Sequence, residues 1–231
     1  MVIASPGSAQ VDSEHRLFSL VLHEHVLNGR VDYAAIKKDK RFEEYLSALR
    51  MAAPSSVKDE RERLAFWINV YNAFTIRLII DHYPVKSIRD ITKEGTGPWD
   101  IVWIEIGGRK LSLNQVEHEI IRREFDEPRI HMALVCAAIS CPPLRAQAYA
   151  GKKLDAQLED NAKLFLQDST KNRYDKATNT LYLSELFQWY GEDFVRKYGS
   201  ARNFALKTMG LDSVKPAVIK VLSYDWSLNE P

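Results

Sequence analysis

The stretch from Leu64 to Ile80, LAFWINVYNAFTIRLII, is apolar on every side at helical spacing, and a helix of that kind has to be enclosed by the rest of its molecule. Asn69, Asn72, Thr75 and Arg77 interrupt it, and it falls a little short of the roughly 20 residues that cross a bilayer, so a buried helix is expected and no membrane span. Pro84 makes continuation difficult. A chain of 231 residues with 45% hydrophobic side chains can bury a proper core. One domain is expected over residues 1–231, with residues 1–12 as a flexible start.

Ser13 to Leu27 reads as an edge helix with Leu17, Leu20, Val21 and His25 near one face, ended by Asn28-Gly29. Lys37 to Arg50 offers Phe42, Tyr45, Leu46 and Leu49 at helical spacing. Ile101 to Ile106 alternates, Gly107-Gly108 supplies a two-residue turn, and Lys110-Leu111 starts a return strand. Ser112 with Gln115 is a capping-box signature for a helix reaching about Phe125, with Val116, Ile120 and Ile121 inward. Ile130 to Cys136 reads as a strand, and Ala137 to Pro143 as a turn or loop closed by the only Pro-Pro pair. Leu154 to Leu166 is a helix, Thr180 to Leu183 a strand before an N-cap at Ser184, and Phe187, Tyr190 and Phe194 an apolar face. A helix near Phe204, a strand Val218 to Leu222 and the segment Tyr224 to Ser227 complete an α+β domain, predominantly helical and packed on a small β-sheet.

Thirty-two basic against thirty-one acidic residues leave a formal charge of +1, without the basic stripe of a nucleic-acid binder. Nucleotide loops, HExxH pairs, GxSxG elbows and CxxC motifs are absent from the sequence. Thiol chemistry therefore begins in Arg129 to Leu144, which holds both cysteines. A free cysteine is mostly protonated at neutral pH and needs a basic neighbour, for which His131 and His118 are the candidates. On a strand, His131 and Cys136 point to opposite faces, which favours Cys141 as the nucleophile. The same residues carry quieter readings: Cys136 as a small core hydrophobe, a Cys136–Cys141 disulfide, or a zinc site with His118 and His131, although their spacing matches no common zinc motif. No metal and no cofactor are expected.

Asn69 and Asn72, three residues apart, share one face of the buried helix with Tyr71 and Thr75 nearby. They read either as structural amides or as substrate-binding and base-orienting groups. Trp99, on the glycine-rich loop Gly95 to Pro98, is a candidate for stacking on a sugar or peptide, while most of the other tryptophans are expected in the core. Glu117 with Glu119, and Glu192 with Asp193, read as solvated helix faces.

FWINVYNAF at Phe66, SLNQVEHEIIR at Ser112, HMALVCAAISCPPL at His131, YLSELFQWYGEDF at Tyr182 and YDWSLN at Tyr224 occur in one order. In them the chain resembles the uncharacterised domain-of-unknown-function family 547, from about Gly29 to Asn229. The resemblance implies no reaction and no catalytic residue. Bacterial members look exported, which implies a periplasmic or extracytoplasmic location; the N-terminus lacks a signal-peptide core, which leaves the cytoplasm as the alternative. Relatives that carry the domain beside interaction modules imply a binding or scaffolding role. Two expectations result. One is a papain- or transglutaminase-like thiol hydrolase or acyltransferase acting on an amide or peptide, with Cys141 as nucleophile, His131 or His118 as base and Asn72 orienting the base or holding the oxyanion. Asn69, Tyr71, Trp99 and Cys136 would contact its substrate. The other is a non-catalytic extracytoplasmic domain that binds a peptide, small molecule or protein. Oligomeric state is not legible.

Overall fold

In this computed structural model the described residues are 12–231, so the expected flexible start lies, except for Asp12, outside them. Four aspartate-led or serine-led caps set helix starts: Asp32, Asp39, Asp59 and Ser200 each accept a hydrogen bond from a backbone N–H of the following turn. Helix α1 (Arg16–His25) precedes them without a side-chain cap, and the three aspartates begin α2 (Tyr33–Ile36), α3 (Lys40–Met51) and α4 (Glu60–His82). On α3 the expected face, Phe42, Tyr45, Leu46 and Leu49, is buried. On α1 the buried face is Phe18, Val21 and Leu22, while Leu20 is exposed. Val26–Leu27 leaves that helix to form β1, which pairs with β2 (Arg30–Val31) across Asn28-Gly29. Both turn residues have positive φ, the conformation that a tight Asn-Gly hairpin demands.

Helix α4 is enclosed as its composition requires, with every residue from Leu64 to Ile76 buried. Packed around it are α2, α3, a π-helical segment (Gln115–Ile121) and α6 (Leu154–Gln167). The glycine hairpin forms between β3 (Ile104–Ile106) and β4 (Arg109–Leu111). Its return strand runs into the expected capping box: Gln115 N–H donates to Ser112 Oγ at 3.1 Å and Ser112 N–H to Gln115 Oε1 at 3.0 Å. The helix that follows widens into π geometry, then closes as α5 (Arg122–Glu124). π turns concentrate at functional sites, and here the widened turn buries Glu117 together with Val116, Ile120 and Ile121.

The expected strand Ile130 to Cys136 is not formed. Pro128–Met132 is a 3-10 turn and the chain beyond it is irregular and buried. Side-chain amides take the place of a strand partner. Asn72 Nδ2 donates to Ala133 O at 2.9 Å while Val135 N–H donates to Asn72 Oδ1 at 2.9 Å. Asn69 closes the same pair of bonds on Tyr149, and Gln157 does so on Ala148 and Ala150. Asn161 donates to Met132 O and Pro143 O. An amide side chain offers the same donor and acceptor as a peptide group, so a buried apolar run can be satisfied without a ladder.

Beyond α6, β5 (Arg173–Asp175) pairs antiparallel with β6 (Thr180–Ser184), which pairs parallel with β7 (Val218–Leu222). Helices α7 (Leu186–Trp189), α8 (Val195–Tyr198) and α9 (Ala201–Thr208) pack with α6 around a second apolar cluster of Met132, Phe165, Phe187, Phe194 and Phe204. The strand content is thus three small sheets among the described residues, in a predominantly helical α+β domain. No described helix is long and apolar enough to cross a membrane.

Gly29 fixes the hairpin against the cysteine loop. Its φ is +78°, and a Cβ there would lie 2.6 Å from Pro143 Cβ and 2.9 Å from Pro143 Cα. Gly29→Ala is expected to cost about 2–4 kcal/mol, the sum of a left-handed backbone and an overpacked contact. Thermal denaturation checks it; an unchanged melting temperature would mean that the loop yields freely.

Candidate functional site

Ala137 turns the chain back on itself with φ +60°. This brings Cys136 and Cys141 to a Cα separation of 6.2 Å, within the ~7 Å reach of a disulfide, and the two are joined by one. The C-terminal segment straps this loop. Ile139 N–H donates to Ser227 O, Ser140 N–H to Asp225 O, and Asn229 N–H to Ala137 O. The strap delivers Tyr224 to the sulfurs, its hydroxyl 3.2 Å from Cys141 Sγ and 3.3 Å from Cys136 Sγ. Burial, with Glu185 and Glu117 adding to it, pushes the Tyr224 phenol well above its ordinary pKa, so it remains a donor at neutral pH. Cys141 Sγ also accepts the Cys136 backbone N–H at 3.0 Å.

His131 belongs to the 3-10 turn and is buried against the second cluster. Its ring stacks on Tyr190 with centroids 3.9 Å apart, and Nε2 lies 2.7 Å from Asp193 Oδ2. Arg122 closes on the same carboxylate with Nε at 2.7 Å and Nη2 at 2.8 Å. Burial alone would raise the Asp193 pKa, but hydrogen bonds from His131 and Arg122 and their charges outweigh it and hold the carboxyl well below the usual range. An ionised Asp193 accepts, so His131 Nε2 carries the proton. The third Arg122 contact is Nη1 to His118 Nδ1 at 3.0 Å. Arginine only donates, so His118 spends its Nδ1 lone pair there.

Between these groups lies a cavity of about 220 Å³. Tyr71 comes from α4, Glu117 from the π segment, His131 from the 3-10 turn, and the disulfide lies on the cysteine loop. Aromatic walls arrive from three distant parts of the chain. Trp99 is anchored where Asn114 N–H donates to its carbonyl; Trp189 and Tyr190 come from the end of α7, Tyr224 and Trp226 from the strap. Trp226 meets Trp99 edge-on at 5.6 Å and stacks on Trp189 at 5.8 Å. Trp189 is 44% exposed, a large apolar face left open to solvent. Glu117 is 5% exposed and sits beside the Tyr71 and Tyr190 hydroxyls; burial first, and this carboxylate second, raise both phenols. Among the described residues no lysine, arginine or histidine forms an ion pair with Glu117.

Of the candidates read from the sequence, Cys136, Cys141, His131, Tyr71 and Trp99 meet at this cavity. His118 is turned to Arg122, and Asn69 and Asn72 are consumed by backbone groups inside the core, their structural reading. The tetrahedral set for zinc is not assembled, because the sulfurs bond each other and the two histidines serve Arg122 and Asp193. His131 and Cys136 face one cavity, since the strand that would have separated them does not exist. Glu117 and Asp193 are not solvated helix faces: one is buried in the cavity wall, the other is the partner of His131. The missed signal was compositional: QWYGED and SYDWS place adjacent aromatics in short polar segments instead of apolar periodic runs.

Residues 54–166 match the family model described as a protein of unknown function, DUF547. No curated protein matches the chain, and no solved structure does, so the likeness to papain or transglutaminase folds draws no support from comparison.

Proposed function

Residues 54–166 match the DUF547 family model, and we propose that this chain is a peptide-binding protein whose aromatic-walled cavity seats one side chain. The observation that carries this reading is the convergence of Trp99, Trp189, Tyr190, Tyr224 and Trp226, from three separate segments, on one cavity with a buried carboxylate in its wall. Its volume of about 220 Å³ lies below the roughly 300–1,000 Å³ of pockets that enclose a drug-sized ligand, which suits a single side chain. Aromatic faces favour a flat or cationic group, and Glu117, which can only accept when ionised, favours one that brings N–H donors. An extracytoplasmic setting suits a chain whose two cysteines are both oxidised.

The amide-hydrolase expectation keeps one support, the oriented His131–Asp193 pair beside the sulfurs. It lacks two: Asn72 is unavailable to substrate, and the sulfur meant to attack is bonded to Cys136. Titrating blocked amino-acid amides into the protein and reading tryptophan fluorescence tests the binding proposal. A saturable change is expected with a basic or aromatic member, weakened at least about tenfold in Glu117→Gln, since a hydrogen bond to a charged group contributes roughly 1.5–3 kcal/mol. No response to any of the amides at millimolar concentration overturns it.

A further inference from the structure

The disulfide is asymmetric. Both cysteines line the cavity, but Cys136 is only half-buried whereas Cys141 is 2% exposed. The backbone N–H of Cys136 donates to the Cys141 sulfur alone; the Tyr224 hydroxyl reaches both sulfurs, at 3.2 Å from Cys141 and 3.3 Å from Cys136, and the Lys171 ammonium lies on the Cys141 backbone carbonyl at 2.7 Å. The extra backbone N–H stabilises Cys141 as a thiolate over Cys136, and in disulfide exchange the sulfur with the more stable thiolate leaves faster.

We propose that the Cys136–Cys141 bond is exchangeable, opened by a thiol that enters the aromatic cavity and attacks Cys136, with Cys141 as the leaving group. The incoming thiolate forms an S–S bond to Cys136 Sγ while the Cys136–Cys141 bond breaks, and its electron pair stays on Cys141 Sγ beside the Tyr224 hydroxyl. A second thiolate then attacks the sulfur of the first, releasing a small disulfide and the Cys136 thiolate. Two thiols are oxidised, the protein disulfide is reduced, and the two thiol protons end on Cys136 and Cys141. Run backwards, the same steps reduce a small disulfide to two thiols and re-form the Cys136–Cys141 bond. This goes beyond the peptide reading and needs only the cavity.

The test uses the native chain and glutathione at neutral pH, quenched by acid and N-ethylmaleimide, with peptide mass spectrometry. Glutathione on Cys136 and maleimide on Cys141 is the expected result. Glutathione on Cys141 with maleimide on Cys136 overturns the assignment, and an unmodified disulfide overturns the exchange altogether. Tyr224→Phe, which keeps the ring and its packing, is expected to slow opening about tenfold through loss of one hydrogen bond to the departing thiolate; an unchanged rate overturns the leaving-group role. Failure here leaves the fluorescence response to amino-acid amides untouched, and failure of that response leaves the glutathione adduct intact.

Discussion

Asn72→Leu is expected to lower the unfolding free energy by about 3–5 kcal/mol, because it strands two buried backbone groups at once. The side chain of Asn72 is in the core, its Nδ2 on Ala133 O and its Oδ1 on Val135 N–H, and the leucine can serve neither. Each buried polar group left without a partner costs roughly 1–3 kcal/mol, and the similar volume of leucine keeps cavity formation out of the comparison. Urea unfolding with an unchanged m-value is the check. Had Asn72 contacted substrate, the same substitution would weaken binding and leave the transition midpoint where it was. The loss also reaches the site, since Val135 precedes the cysteine that faces the cavity.

That prediction explains where sequence reading stopped. Helix α4 and the face of α3 were legible because apolar periodicity is local and their burial agrees with it, and the Ser112–Gln115 box because its two bonds join residues three apart. Ile130 to Cys136 was misread for a physical reason. An apolar run signals burial but not what satisfies its backbone, and here the partners are the amides of Asn72, on α4, and Asn161, on α6. The cavity was half legible. Its cysteines and His131 stood out as chemistry-bearing types. Glu117 looked like an exposed acid because a carboxylate two residues from Glu119 suggests a solvated face, whereas the π turn of Gln115–Ile121 buries it with Val116, Ile120 and Ile121. Tyr224 and Trp226 reach the site through backbone pairing with residues 137–140, a contact that no local pattern encodes.

Asp193 was hidden in the same way, by a partner 62 residues away. A carboxyl whose folded pKa is depressed contributes stability that is complete above its unfolded value of about 3.9 and is lost as pH falls towards the folded value. Asp193→Asn keeps an acceptor for His131 but removes the charge that Arg122 holds at two points, and the carboxylate is 24% exposed, so the loss at neutral pH is expected to be about 2–3 kcal/mol, below that of a fully buried pair. The variant should then lack this portion of the wild-type acid sensitivity. The difference between the two proteins is greatest at neutral pH and shrinks as pH falls below about 4, where the carboxyl of the unfolded chain takes up a proton while the folded one is still ionised. Urea midpoints measured from neutral to acid pH decide it: a gap that widens on the acid side, or no gap at neutral pH, would mean that the carboxylate does not hold His131 and Arg122 together. With the pair loosened, His131 also loses its fixed stacking on Tyr190, so weaker binding of amino-acid amides at neutral pH should accompany the lost stability.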